Sequence, residues 1–318
     1  MIAEIHIALL GCLAGGAQKS GEALAAQLGV TRARVSQLVR ELNACGADIT
    51  SSRAGYHAIF PISMLNATYC AAGIEPWKVA ITPICASTNA TLIQSGATHG
   101  SVQLAEWQST GRGRRGRAWT GAPGGSILMS AAWQFSGGAA TLAGLSLAVG
   151  VAVTEALETC GARDVQLKWP NDIVWRGQKL GGVLIELSGD ALGPTNAVIG
   201  IGLNVHLPAA ARADIEQAVT DLSTLAPQVP WDRNTVVAAL LAALATTLNQ
   251  FAHVGFAPFA QAWRARDAFA GRPVLARLPD GSVLEGERAD IDDNGALLLK
   301  RDHQTHVLNS AEVSLRIA

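Results

Sequence analysis

Charge is scarce in this sequence. Asp, Glu, Lys and Arg make up 15% of its 318 residues, against about 25% in an average soluble protein. The 24 cations and 25 anions leave a net charge of −1, so no global field draws the chain to nucleic acid or to an anionic membrane, and any basic site has to be local. Lysine is scarcest among the cations, with only five residues, at 19, 78, 168, 179 and 300. Cysteine occurs five times, at 12, 45, 70, 85 and 160, without a C-x-x-C pair. The odd number and the spacing speak against a disulfide framework or a zinc site and for buried thiols. No secretory leader is indicated, because the apolar stretch from Ile5 to Ala17 is preceded by Glu4 rather than by basic residues. The other long apolar window, Ala139 to Val153, is broken by Thr, Ser and Gly and is shorter than the ~20 residues a membrane span requires. The chain is expected to be cytoplasmic and without a membrane partner.

Apolar residues are plentiful, at 49%, enough for a sizeable core, and the length fits two or three domains at about 150 residues each. Residues 1–65 read as short helices followed by a hairpin. Leu24 and Leu28 lie four apart, Gly29 interrupts, Thr31 is placed to cap, and Val35, Leu38, Val39 and Leu42 follow at helical spacing. The sequence thus predicts a helix-turn-helix, with a β wing over Ala47 to Ile59 around Gly55. Arg32, Arg34, Ser36, Gln37 and Arg40 fall on the polar faces of the second helix, where side chains can reach bases and phosphates. An ordinary helical module with a solvated face fits the same pattern, since residues 1–65 carry only five positive charges against four negative.

Residues 66–268 mix strands and helices as a multidomain α+β chain would. Strands are predicted at Ser101–Gln108, Ser126–Phe135, Val165–Trp169, Ile173–Trp175, Leu180–Leu187 and Ala197–Val205, and helices at Thr141–Thr159, Asn234–Ala252 and Phe256–Ala268. Residues 269–318 carry the turn signals Pro279-Asp280-Gly281 and Asp292-Asp293-Asn294-Gly295 between short β-like runs, so a small barrel is expected to close the chain.

Four arginines fall within residues 112–117, three of them in the segment Gly111-Arg112-Gly113-Arg114-Arg115-Gly116 and the fourth at Arg117. This matches G-x-G-x-x-G formally, but a dinucleotide site wants an acidic residue ~20 positions on, and there is none between Glu106 and Glu155. The guanidinium groups repel one another on a backbone loosened by three glycines, so the loop should be mobile until a phosphate or carboxylate arrives. Further on lies Lys168-Trp169-Pro170-Asn171-Asp172, followed by Lys179. Two of the five lysines in an Arg-preferring chain are here, which points to a need for compact point charges.

Taken with Ser87-Thr88-Asn89, Glu106-Trp107-Gln108 leading into the arginine loop, Arg117-Ala118-Trp119, Lys179-Leu180-Gly181-Gly182 and Ile199-Gly200-Ile201-Gly202-Leu203-Asn204-Val205, these blocks resemble biotin–protein ligases over nearly the whole chain. The N-terminal segment resembles the winged helix-turn-helix of the bifunctional type that also represses biotin-synthesis genes, and the tail resembles its SH3-like barrel. The resemblance implies activation of biotin by ATP, with Mg2+ accompanying the nucleotide. Biotinyl-5′-AMP forms and passes its acyl group to a lysine of a biotin carboxyl carrier protein. It implies that Ser87, Thr88, Asn89, Gln108, Arg112, Gly113, Arg114 and Lys179 bind biotin, and that Arg114, Arg117, Trp119, Asn171, Lys179 and Asn204 bind ATP. Arg114, Lys179 and Asp172 are the candidate catalytic residues, the cations offsetting repulsion between carboxylate and α-phosphate and Asp172 assisting the incoming lysine. For a repressor, operator DNA and a homodimer of the adenylate-bound form are the further partners. Two alternatives stay open: a ligase whose N-terminal module does not bind DNA, and a lipoate–protein ligase.

Overall fold

The computed structural model describes residues 2–317 apart from 72, 191, 214, 279 and 310–313. Pro279 of the expected turn therefore lies outside the described residues.

The N-terminal unit consists of α1 (Glu4–Leu13), α2 (Gly21–Leu28), α3 (Arg32–Ala44) and a hairpin, β1 (Ile49–Ser52) and β2 (Gly55–Ala58). Ser20 and Thr31 cap α2 and α3 by accepting from the backbone N–H of Ala23 and Arg34. Gly29 ends α2 in the left-handed conformation at φ 65°. Leu9, Leu10, Leu13, Leu24, Val35, Leu38 and Leu42 meet in a core of their own.

The central unit holds α4 (Ala67–Ala71), β3 (Lys78–Cys85), α5 (Thr88–Gln94), β4 (Ser101–Gln108), β5 (Ser126–Phe135), α6 (Leu145–Thr159), β6 (Gln166–Lys168), β7 (Asp172–Trp175), β8 (Gln178–Gly189), β9 (Thr195–Asn204), α7 (Ala209–Ala213), α8 (Leu222–Leu225), α9 (Arg233–Val254) and α10 (Ala260–Arg264). Its seven strands run in the order β3-β4-β5-β9-β8-β7-β6, antiparallel except for the parallel pair β3/β4. Helices α6 and α9 pack together over the sheet, while α5 lies against β4, β5 and β9.

Three expectations are corrected here. Strand β3 went unpredicted because Pro83 interrupts it; at a sheet edge that proline leaves no ladder bond unmade, since Thr82 and Ile84 pair with Ala105 and Trp107 on either side of it. The helix over 141–159 starts only at Leu145, after a separate 3-10 turn at Ala139–Leu142 and Gly144 at φ 78°. The segment 256–268 is not one helix but a 3-10 turn, Ala257–Phe259, and α10; its end is drawn off by the bond from the Ala268 N–H to Leu167 O.

The C-terminal unit, β10 (Pro273–Arg277), β11 (Val283–Ile291), β12 (Leu297–Arg301), β13 (Gln304–Leu308) and β14 (Ser314–Ile317), is an antiparallel five-stranded sheet in the order β13-β12-β11-β10-β14. Among the described residues β13 and β14 remain unpaired edges, so the expected barrel does not close by hydrogen bonding. Val274, Ala276, Ile291, Leu297, Leu299 and Leu315 merge with the central core, and buried Arg288 reaches Asp267 at 2.6 Å across the junction. The stretches 139–159 and 233–254 are long and apolar enough to cross a membrane by composition. The first comprises the 3-10 turn and α6 and the second is α9, both packed into the core, with 67% and 50% of their most apolar windows buried.

Candidate active site

A polar floor lies where α5 meets the sheet. The Thr88 N–H and Oγ1–H donate to Gln108 Oε1 at 2.7 and 3.1 Å. Ser130 Oγ lies 2.7 Å from Thr88 Oγ1 and 2.5 Å from Asn89 Oδ1. The Asn89 amide N–H2 donates to Glu186 Oε2 at 2.6 Å and to Leu184 O at 3.3 Å. Two acceptors at that end fix the amide orientation, leaving Oδ1 as the acceptor toward Ser130. Ser130 and Leu184 both pair with Gly200 across the sheet. Gly200 has to be glycine, because a Cβ there would run into Asn89 Oδ1. Ser87 is the N-cap residue of α5, yet its side chain makes no capping bond, so helix capping does not account for its hydroxyl. Ser130 and Glu186 were missed in the sequence. The available signal was a polar residue inside each apolar run, Ile127-Leu128-Met129-Ser130 and Val183-Leu184-Ile185-Glu186.

The arginine loop follows β4 directly. The Gly113 N–H donates to Arg117 O at 2.7 Å, the Arg117 N–H to Arg114 O at 3.3 Å and the Trp119 N–H to Gly111 O at 2.8 Å, so the backbone closes into a compact turn. Arg115 sits in the left-handed region at φ 59°, a conformation uncommon for a non-glycine residue. The Arg114 guanidinium donates to Asn171 Oδ1 at 3.3 Å. Burial, with the neighbouring Arg115 and Arg117, holds its pKa below the ordinary arginine value, against the opposing pull of Asp172. The side chains of Arg112 and Arg117 are exposed.

Opposite the loop, β7 opens with Asp172, whose carboxylate takes Lys179 Nζ at 2.6 Å and Lys168 Nζ at 3.7 Å. It is thus an ion-pair centre at a strand end. Asn171 is held by its amide N–H2 on Val183 O at 2.6 Å. The ammonium of Lys179 also lies 5.7 Å from the centre of the Trp119 ring, and that ring rests on β9, where a Cβ at Gly202 would come within 2.5 Å of Trp119 Cε2.

Beyond Trp119, Lys179 bonds through its backbone to Ala218 and Thr220, and the Asn204 amide donates to Thr220 O at 3.0 Å. Trp119 Nε1, Asn204 Oδ1 and Thr220 Oγ1 are buried without a hydrogen-bond partner. Such atoms are costly unless something satisfies them, so this edge is suited to a polar ligand. Asp221 anchors the segment by accepting from the N–H groups of Leu207 and Thr224 and from Arg212. Burial, the largest influence, raises its pKa, but these hydrogen bonds outweigh it and hold the carboxyl below its usual range.

The predicted DNA-contact residues divide. Arg32 and Ser36 line a groove with Ser51, Ser52, Arg53 and Tyr56 of the hairpin. Arg34 and Gln37 instead turn to Glu41, at 3.5 and 2.8 Å, and buried His6 also bonds that carboxylate at 2.7 Å. Arg40 is exposed on α3. Trp133 and Trp169 are core, and Trp175 carries Arg176 over its ring at 4.4 Å. His206 stacks on Phe60 at 4.5 Å and faces Asp48 and Ser223.

Residues 83–204 match the biotin/lipoate A/B protein ligase family and residues 269–316 the biotin protein ligase C-terminal domain. The chain belongs to this family of ligases. It is 35% identical over 320 residues to the bifunctional ligase/repressor BirA of Escherichia coli, covering 99% of this chain and 98% of that protein. It is also 35% identical to the biotin–[acetyl-CoA-carboxylase] ligase of Paracoccus denitrificans, covering 71% of this chain and 96% of that one. Among solved structures, the biotin protein ligase from Aquifex aeolicus in complex with biotin and ATP superposes with a TM-score of 0.66 at 27% identity, over 76% of this chain and 99% of that chain.

Proposed function

We propose that this chain is an ATP-dependent biotin–protein ligase that makes biotinyl-5′-AMP and transfers biotin to a lysine of a biotin carboxyl carrier protein. It is built as a winged helix-turn-helix over 1–65, a catalytic domain over 66–268 and an SH3-like domain over 269–318, and it works in the cytoplasm. The observation that carries this reading is the cation cluster of Arg114, Lys179 and Lys168 around Asp172, set between a polar floor on one side and an unsatisfied polar edge on the other.

In the proposed assignment the floor of Thr88, Gln108 and Ser130, with Ser87 beside it, takes the ureido end of biotin, with Arg112 and Gly113 closing over it. Asn89, whose amide is engaged by Glu186, Leu184 and Ser130, shapes that floor. Trp119 offers the adenine a stacking face, Asn204 and Thr220 its polar partners, and Arg117 its phosphates a cation. A biotin carboxylate oxygen attacks the α-phosphorus as the bond to the β-phosphate oxygen breaks, with Lys179 and Arg114 offsetting charge between the two anions. Asn171 holds Arg114 in place. Asp172 then receives the carrier's ammonium as Lys179 is drawn to the adenylate, takes a proton from it as general base, and orients the resulting amine for attack on the anhydride carbonyl, displacing AMP. Among the described residues no group of three or more His, Cys, Asp and Glu is placed to hold a metal ion. Mg2+ is taken to arrive with ATP as the counter-ion of its phosphates. Incubation with biotin, labelled ATP and a carrier domain, with lipoate as control, tests the reading: carrier labelling from lipoate in place of biotin would overturn it.

We further propose that the adenylate-bound form dimerises and represses biotin-synthesis genes. Arg32, Ser36 and Arg40, joined by Arg53, then meet the operator, while Arg34 and Gln37 are ordered by Glu41. Each module alone is weakly basic, and pairing two raises avidity without new contacts. A second reading, a ligase whose N-terminal unit serves packing only, is favoured by the close docking of that unit: a Cβ at Gly46 would collide with Ala211 at 2.5 Å. Footprinting upstream of biotin-synthesis genes, with and without biotin and ATP, separates the two; protection that ignores both ligands would overturn the corepressor role of the adenylate, and no protection at low salt leaves the second reading standing.

A further inference from the structure

Gln37 is ordered by Glu41 but has no task in the assignment above. Helix α3 buries Val35, Leu38, Val39 and Leu42, and at ~100° per residue Gln37 falls on the opposite side of the helix. It is exposed there, as are Ala33 and Arg40 beside it, on the face through which a recognition helix meets the major groove. A free glutamine in such a place can turn its amide either way and so pair with more than one base. Gln37 is not free. Its Nε2 donates to Glu41 Oε1 at 2.8 Å, which fixes the nitrogen on the Glu41 side and leaves Oε1 and the second amide hydrogen for a ligand.

Glu41 is in turn held from the core of the N-terminal unit. Its other carboxylate oxygen takes His6 Nε2 at 2.7 Å, and Arg34 Nη1 stands 3.5 Å from Oε1. His6, 1% exposed, accepts the Ala3 N–H on Nδ1 at 3.0 Å and so closes the first turn of α1. That bond requires a bare Nδ1, which puts the ring proton on Nε2, where it is donated to Glu41. The bond from His6, with those from Gln37 and Arg34, outweighs desolvation and holds the Glu41 carboxyl below its usual range, so Glu41 is an anion that only accepts. A carboxylate on a DNA-facing helix repels phosphates of every sequence alike. Its use must therefore lie in discrimination between sequences. An amide that presents one oxygen and one N–H matches adenine in the major groove, accepting from N6 and donating to N7, whereas guanine offers two acceptors there.

We infer that His6 and Glu41 form a relay from the core of the N-terminal unit that sets the Gln37 amide to read an adenine in the major groove. His6 and Glu41 touch no DNA themselves; they are positioning residues, and their role rests on the repressor reading and deepens it.

The test is selection from a random duplex DNA library with the full chain, biotin and ATP, which reads preference base pair by base pair. Wild type should enrich an A·T pair in each half-site that Gln37→Ala no longer enriches. Glu41→Ala should relax the preference at that same pair about tenfold, within the range of one bidentate base contact, and leave the other positions as they are. Its affinity for unselected DNA should be equal or higher, because a negative charge is gone. His6→Ala should relax the same pair although it lies in the core, and thermal denaturation checks its fold; Gln37→Ala, at an exposed position, keeps the base assignment open to refutation if His6→Ala does not fold. Full preference retained in Glu41→Ala or in folded His6→Ala, equal relaxation at all positions, or a pair other than A·T at the position lost in Gln37→Ala would each overturn the relay. A wild-type chain that enriches no sequence would instead sink the repressor reading itself.

Discussion

Lys179→Ala isolates the electrostatic core of the account. The ammonium sits 2.6 Å from Asp172 with its side chain 17% exposed, so it acts in a medium between protein and water. With an effective dielectric of ~20, two unit charges ~4 Å apart interact by about 4 kcal/mol. Part of that is offset because Arg114 remains and water enters the space the side chain vacates. A loss of about 2.7–4 kcal/mol, or ~100- to 1,000-fold in the rate of adenylate formation, is therefore expected, comparable with removal of one preorganised oxyanion donor. Asp172 keeps Lys168 at 3.7 Å, so the fold should survive. Single-turnover release of labelled pyrophosphate reads the first half-reaction alone, and thermal denaturation checks the fold. A variant within about threefold of wild type, only ~0.65 kcal/mol in barrier, would remove Lys179 from the mechanism.

Arg114→Gly should form adenylate more slowly and release what it forms, because one cation facing the two anions is gone and the loop that covers the intermediate loses its anchor on Asn171; bystander proteins should then become biotinylated, and labelling no higher than with wild type would refute the covering role. Gly202→Ala should raise the KM for ATP at least tenfold and leave that for biotin nearly unchanged, since the three atoms nearest its Cβ all belong to Trp119; equal effects on both would place Trp119 elsewhere. Glu106→Ala should destabilise the chain by about 3–5 kcal/mol in urea titration by stranding buried Arg233, its partner at 2.6 Å, with much of the loss recovered in Glu106→Ala/Arg233→Met. Asp221 has a folded pKa below its usual value, so its stabilisation is present above the unfolded value of ~3.9 and is lost as pH falls through the lower folded value; Asp221→Asn should lower stability near neutrality and flatten the stability profile in that acid window.

How much could be read in the sequence differed by element for physical reasons. Ser101–Gln108 and Ser126–Phe135 agree at both ends with β4 and β5 because each is a β-rich run bounded by Gly or polar residues. β3 was hidden by Pro83, whose harmlessness depends on an edge position that no local window reveals. Gly200 and Gly202 could be read as part of a motif, but not as the two places where Asn89 and Trp119 press against β9. The cations stood out because Lys is rare and Arg clustered. Ser130, Glu186 and Thr220 did not, since the floor and the polar edge are assembled from strands and loops far apart in the chain. The helix α3 surface was legible as polar, but only the structure divides it, with Arg32 and Ser36 in the groove and Arg34 and Gln37 held by Glu41.

The most direct test of the central claim is the intermediate itself. Mixed with biotin and ATP in the absence of carrier, the protein should retain one equivalent of biotinyl-5′-AMP, identified by mass spectrometry after gel filtration. Addition of carrier domain should discharge it as AMP together with biotin on a single carrier lysine, and lipoate in place of biotin should give neither. Recovery of unreacted biotin and ATP, or of a lipoyl adenylate, would contradict the account.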